Sequence, residues 1–202
     1  DMNVGAVKLV FDETVKADSI LIAKLALCST ADCNIQVPLE GTERRENSDA
    51  VSTQVLLDLK PAVLNTLKLN KDLAIGIGDD GKSFFDMGGG AVTDMATQTS
   101  VQVRHAADTY TPDTTRPTLE SFSINMNDGT ITMIFSEAIN KDSMKSEAVK
   151  ILAAKSSDDY HPFSADFVFE SLSEIGTTYK MKMAAVDFNA LAKDEDLATG
   201  SL

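Results

Sequence analysis

Residues 1 to 20 of this chain return, without a gap, as residues 125 to 144. Seven of these twenty aligned positions are identical: Met2/Met126, Asn3/Asn127, Gly5/Gly129, Phe11/Phe135, Glu13/Glu137, Asp18/Asp142 and Ser19/Ser143. Chance gives about one match, because a residue type averages about a twentieth of a chain. The offset of 124 persists further in. Pro38 meets Pro162, and 57–74 meets 181–198 with Asn65/Asn189, Leu67/Leu191, Asp72/Asp196, Leu73/Leu197 and Ala74/Ala198 identical. Self-similarity at a fixed spacing marks an array of like units. At so long a period each unit is a domain and not a turn of a solenoid.

Inside a unit the hydrophobic period is mostly two. After the Asn3-Val4-Gly5 turn, Val7, Leu9 and Phe11 alternate with Ala6, Lys8 and Val10, the pattern of a half-buried strand. After Asn127-Asp128-Gly129, Ile131, Met133 and Phe135 are expected to face inward and Thr130 and Thr132 outward. Further strands are expected at 20–27, 54–59, 101–104, 118–124, 149–152 and 179–183, separated by Gly, Asn, Asp and Ser clusters. One short helix interrupts each unit. The first opens at Pro61 and places Val63, Leu64 and Leu67 on one face; the second, 185–192, does the same with Val186, Phe188 and Leu191.

The fold class is therefore all-β with one short helix in a connection of each unit. The division is 1–111, a linker at 112–117, and 118–202. Pro112 and Pro117 make that linker extended and stiff. The first unit lacks the strand that 118–124 supplies to the second, and Leu202 is the counterpart of Gly78, ahead of the last strands. Natural proteins cover such open edges. The expectation is a piece of a longer molecule that continues on both sides, or a neighbour that donates the strand.

A net charge of −13 argues against a phosphate-tracking surface, which needs clustered Lys and Arg. Hence no nucleic-acid partner is expected. The longest apolar run, 20–28, is too short to span a bilayer and carries Lys24, so no membrane insertion is expected of this segment. Cys28 and Cys33 enclose Ser-Thr-Ala-Asp. They can close as a disulfide if their Cα atoms lie about 5.5 Å apart, which implies an oxidising compartment. Two free buried thiols are the alternative, whereas zinc needs two more soft ligands nearby.

Chemistry is sparse. His105 and His161 fall at non-equivalent places, His161 in a turn ahead of Pro162, and no Ser-His-Asp order, HExxH, phosphate loop or dinucleotide fingerprint occurs. Gly88-Gly89-Gly90 has no following helix start with a Lys, so it reads as a turn. An enzyme is not expected. Glu13 and Glu137 recur just after an inward Phe. Each either accepts backbone N–H bonds where a strand ends or joins Asp108, Asp113 and Asp128 as a calcium ligand that stiffens the junction, calcium wanting about six to eight oxygens. The pairs Asp79-Asp80, Asp158-Asp159 and the run Asp194-Glu195-Asp196 read as solvated turns. Tyr110 and Tyr160 are the candidates for an exposed glycan platform. No N-glycosylation sequon occurs, and the Thr-rich stretch 109–118 is open to O-linked sugar.

The stretch Asp113-Thr-Thr-Arg-Pro-Thr-Leu-Glu-Ser-Phe122, followed by an Asn/Gly turn and Phe135-Ser-Glu-Ala-Ile139, resembles the start of a bacterial Ig-like repeat of the surface-layer type. Val186-Asp-Phe-Asn-Ala-Leu191 and Asp94-Met95-Ala96 resemble versions strung in tandem in large surface proteins of microbes and of algae or other protists. The resemblance implies tandem Ig-like Greek-key β-sandwiches, extracellular and non-enzymatic. Members of the family serve as spacers, adhesins and layer or fibre subunits. The leading expectation is thus a stiff spacer or building block of a cell-surface protein or surface fibre, whose partners are neighbouring repeats or other copies. Its architectural residues are Gly5, Gly129, Phe11, Phe135, Pro112 and Pro117. The alternative is an adhesin-type module that grips a cell-surface glycan or a protein through its loops, with calcium stiffening it. No other cofactor is implied.

Overall fold

The computed structural model describes residues 1–45, 49–77, 82–152, 160–164 and 167–194. The chain divides into two compact units, Asp1–Arg116 and Pro117–Leu202, each built mainly of antiparallel strands.

In the first unit, strands β1 (Ala6–Lys16), β4 (Glu43–Arg44), β5 (Val51–Asp58) and β7 (Thr93–Asp94) form a sheet in the order β4-β5-β1-β7. A second sheet runs β3-β2-β6-β8, with β2 at Leu25–Cys28, β3 at Gln36–Pro38, β6 at Phe84–Met87 and β8 at Val103–Ala106. Period-two alternation gives each sheet one apolar face. Val15, Val55 and Leu57 from the first sheet and Leu25, Val37 and Met87 from the second share one buried core. The unit is therefore a β-sandwich. Helix α1 (Pro61–Leu69) lies in the connection between β5 and β6 and adds Val63 and Leu67 to that core. Pro61 sits in its first turn, where a missing N–H costs nothing.

In the second unit β9 (Leu119–Asn125), β10 (Thr130–Phe135), β13 (Val168–Ser171) and β14 (Thr178–Lys182) form a sheet in the order β13-β14-β10-β9. β11 (Lys150–Leu152) and β12 (Tyr160–Pro162) pair with each other, and helix α2 spans Ala185–Lys193. Ile131, Met133, Met181, Ile151, Phe163 and Leu191 make its core. Phe122 pairs with Met133 and so shares its face. It nevertheless stays 55% exposed.

Several elements of the two units stand 124 residues apart to the residue. The single-turn 3-10 helices Ala17–Ser19 and Ile22–Lys24 correspond to Lys141–Ser143 and Ser146–Ala148, and α1 corresponds to α2. The turn glycines do as well. Gly5 and Gly129 both have φ of +66°, and a Cβ there would lie 3.0 Å from Leu64 in one unit and from Phe188 in the other. Glycine is thus required twice over at each turn, by the left-handed backbone and by the helix side chain packed on it. Phe11 and Phe135 are partly buried against their respective cores.

The structure departs from the sequence reading in these elements. Residues 20–24 do not continue the strand expected at 20–27; they include the 3-10 turn Ile22–Lys24, and β2 starts at Leu25. Thr130 is buried, not outward, its hydroxyl donating to Asp128 Oδ1 at 2.7 Å. Val186 of α2 is exposed, and its place on the buried face is taken by Asp187. The last strand of the first unit runs Val103–Ala106, two residues later than expected. Asp79-Asp80, Asp158-Asp159 and Glu195-Asp196, with Leu197 and Ala198, lie outside the described residues.

Candidate functional site

The segment after β8 does not leave the first unit freely. Tyr110 packs against the core, and its phenol is raised above its ordinary pKa, first by burial and then by the Asp113 carboxylate. The Thr111 carbonyl accepts from Met2 N at 2.9 Å. Asn3 Oδ1 then gathers three donors: Thr114 N at 3.2 Å, Thr114 Oγ1 at 3.1 Å and Thr115 Oγ1 at 2.9 Å. Asp113 forms a largely buried ion pair with Lys68 of α1 at 2.8 Å, and its Oδ1 also accepts from Thr115 N. The second unit takes hold directly afterwards, Thr118 N donating to Ser136 Oγ at 3.0 Å and Thr118 O accepting from Ser136 N at 2.9 Å. Only Arg116 and Pro117 separate Thr115 from Thr118. The stiff linker read at 112–117 is thus anchored on the first unit through Thr115, and Pro117 restricts the residue before it.

The expected calcium ligands have different surroundings. Glu13 and Asp108 are exposed, Asp113 is engaged with Lys68, and Asp128 accepts from Thr130. Asp128 is held below the usual carboxylate range, first by the Thr130 hydroxyl, with Lys180 and Lys182 adding to the effect. Glu137 is buried just beyond β10, while its counterpart Glu13 lies exposed within β1. Among the described residues, the one group of three or more potential ligands gathered within reach of a single ion is Cys28, Cys33 and Asp86. Those two sulfurs are bonded to each other, with Cα atoms 4.8 Å apart, so neither is a thiolate. Asp86 instead accepts from Arg104 Nε at 2.9 Å. The disulfide closes the tip beyond β2, where Cys28 pairs with Phe84 of β6.

One polar cluster was not visible to the sequence reading. His161 lies in β12, not in a turn, with its Nε2 3.4 Å from Asp187 Oδ1. The approach has ion-pair distance but not hydrogen-bond alignment. Asp187 Oδ2 accepts from Ser164 N at 3.1 Å and from Ser164 Oγ at 2.8 Å. Serine, histidine and aspartate meet here in the wrong order for nucleophilic catalysis: the hydroxyl points at the carboxylate, and no imidazole stands ready to take its proton. The signal that could have found the cluster is the offset itself. The positions 124 residues earlier are Val37 and Val63, so two apolar residues are exchanged for two polar ones together.

His105 is exposed on β8. Tyr110 is partly buried and Tyr160 exposed with Lys150 Nζ 4.2 Å above its ring. Among the described residues no helix is long and apolar enough to cross a membrane. Compared with protein families, curated proteins and solved structures, the chain matches none.

Proposed function

We propose that this chain is part of an extracellular structural array: tandem Ig-like sandwiches that set length and stiffness in a cell-surface protein or surface fibre. The observation that carries this reading is the anchored junction. Four hydrogen bonds and one ion pair tie 111–115 onto the first unit, and Thr118 is already bonded within the second. A flexible tether serves a mobile binding head; a two-residue connection with Pro117 serves a spacer.

Three further observations support it. If β9 to β14 are lettered A, B, C, C′, D and E, the order β13-β14-β10-β9 is D-E-B-A, and the first unit's β3-β2-β6-β8 is C′-C-F-G, the strand order of an immunoglobulin-type sandwich. Elements at a constant offset of 124 support tandem duplication. The Cys28–Cys33 disulfide supports an oxidising compartment. On this reading the kinship is with the bacterial Ig-like surface-layer repeats.

The test is the distance between one spin label in each unit, measured by pulsed electron resonance on the whole chain. A narrow distribution is expected, and it should broaden in the double variant Asn3→Ala, Lys68→Ala, which removes the anchors. A broad distribution in the unaltered chain would rule out the spacer.

A further inference from the structure

Cys28 ends β2, and Asp86 lies in the neighbouring β6. Ala26 pairs with Asp86, and Cys28 stands two residues further along its strand. Cys28 and Asp86 therefore share one face of the sheet, opposite the face on which Leu25 and Met87 enter the core. The two sulfurs of Cys28 and Cys33 and a carboxylate oxygen of Asp86 lie within 4.8 Å of one another. Zinc bonds of about 2.3 Å to sulfur and about 2.0 Å to oxygen place ligand atoms about 3.5 to 3.8 Å apart. The four residues between the cysteines also fall within the spacing that zinc-binding pairs use.

The tip keeps its shape by more than the sulfur bond. Ser29 N donates to Ile35 O at 2.9 Å and Ile35 N to Ser29 Oγ at 3.2 Å. Cys33 N donates to Thr30 O at 2.9 Å, and Arg104 Nη1 to Ala31 O at 3.0 Å. None of these bonds involves a sulfur, so opening the disulfide leaves both cysteines beside Asp86. The carboxylate is aimed as well. Arg104 Nε at 2.9 Å and Gln102 Nε2 at 3.4 Å both donate to Oδ1, which leaves Oδ2 for a further partner. Outer donors of this kind orient a ligating carboxylate. Cys28 is buried, whereas Cys33 and Asp86 reach solvent, so one side of the group is open to an incoming ion.

We propose that this tip is a redox-gated metal site. Oxidised, it is closed by the disulfide and takes no ion. Reduced, it binds one zinc ion through Cys28 Sγ, Cys33 Sγ and Asp86, with water in the fourth position, since three protein ligands and a water complete an open zinc site. The opening step needs a dithiol: two electrons and two protons pass to the sulfurs, and the reductant leaves as its own disulfide. Zinc then displaces both thiol protons and forms two Zn–S bonds and one Zn–O bond. The ion thereby cross-links the same two residues that the disulfide joined, and the tip is stapled in either redox state. The inference goes beyond the spacer reading and does not depend on it.

The test uses the whole chain, reduced with a dithiol, freed of it without oxygen, and titrated with zinc against a chromophoric chelator. One zinc per reduced chain is expected, with two protons released and a rise in the first unit's melting temperature. Cadmium in a parallel titration should give an ultraviolet thiolate-to-metal band. The oxidised chain keeps every carboxylate and both histidines and should show neither the uptake nor the band. Asp86→Asn should weaken zinc binding by at least about tenfold. If that variant misfolds, amide shifts at Asp86 and Arg104 on adding zinc to the reduced parent read the same contact. No uptake by the reduced chain, equal uptake by the oxidised one, or unchanged affinity in a folded Asp86→Asn would overturn the proposal.

Discussion

Val37 of β3 and Val63 of α1 belong to the first unit's buried core, and His161 and Asp187 occupy the same places in the second. A buried polar pair is rarely worth more than the apolar contact it replaces, but removing one member strands the other. The double variant His161→Val, Asp187→Val installs the first unit's pair but still leaves the Ser164 N–H without its acceptor, so it is expected to cost about 2 kcal/mol, no more than Asp187→Val alone. His161→Val alone should cost about 2 kcal/mol, since Asp187 then keeps only its Ser164 donors. Asp187→Val alone should cost a similar amount, about 2 kcal/mol, by orphaning the Ser164 N–H. A urea-denaturation cycle of the four proteins checks this; additive costs would mean the pair is not coupled. A second residue-level test concerns Tyr179, buried in β14 with its hydroxyl donating to Ile139 O at 2.7 Å. Burial is the first cause holding its phenol above the ordinary pKa. The neutral ring therefore contributes stability in full below the unfolded value of about 10, and that contribution is lost as pH rises through the raised folded value. The second unit should weaken at alkaline pH, and Tyr179→Phe should flatten that loss in melts followed between neutral and alkaline pH.

At the scale of elements, strands with a clean alternation were legible: β1, β5, β9, β10 and β14 lie close to where the period of two puts them. The helices were legible too, because Pro61 and the spacing of Leu64 and Leu67 leave little alternative. What the pattern could not show is which apolar run bends. Ile20–Leu27 has a strand's composition, but Ala17 is fully buried and the chain turns twice through 3-10 geometry before β2, a tertiary override of local preference. The candidate site was legible in part. The Pro-Thr stretch marks a connection between units, but that Asn3 holds it depends on a contact across 111 residues. The disulfide, by contrast, needs only local spacing, and its energetic share can be stated. A closed loop of this size constrains the unfolded chain by about 2 kcal/mol in the loop-entropy picture. The variant Cys28→Ala, Cys33→Ala should lose about that much from the first unit and leave the second unchanged, because the counterparts there are Leu152 and Ser157.

For the whole molecule the division into two units, each with its own buried core, sets what unfolding should look like. Among the described residues the first unit has two four-stranded sheets around a core of sixteen buried hydrophobic residues. The second has a four-stranded and a two-stranded sheet around seven, with Phe122 and Leu119 of β9 exposed. Burial of apolar surface is the dominant favourable term in folding, and each unit carries its own buried cluster. Calorimetry of the whole chain is therefore expected to show two transitions, one for each unit. The assignment can be made within the same protein. Reduction of the Cys28–Cys33 bond should lower only the first unit's transition, and Tyr179→Phe at alkaline pH should move only the second unit's. A single transition responding to both changes would mean that the units unfold as one. In that case the connection through Arg116 and Pro117 couples them as firmly as a shared core would.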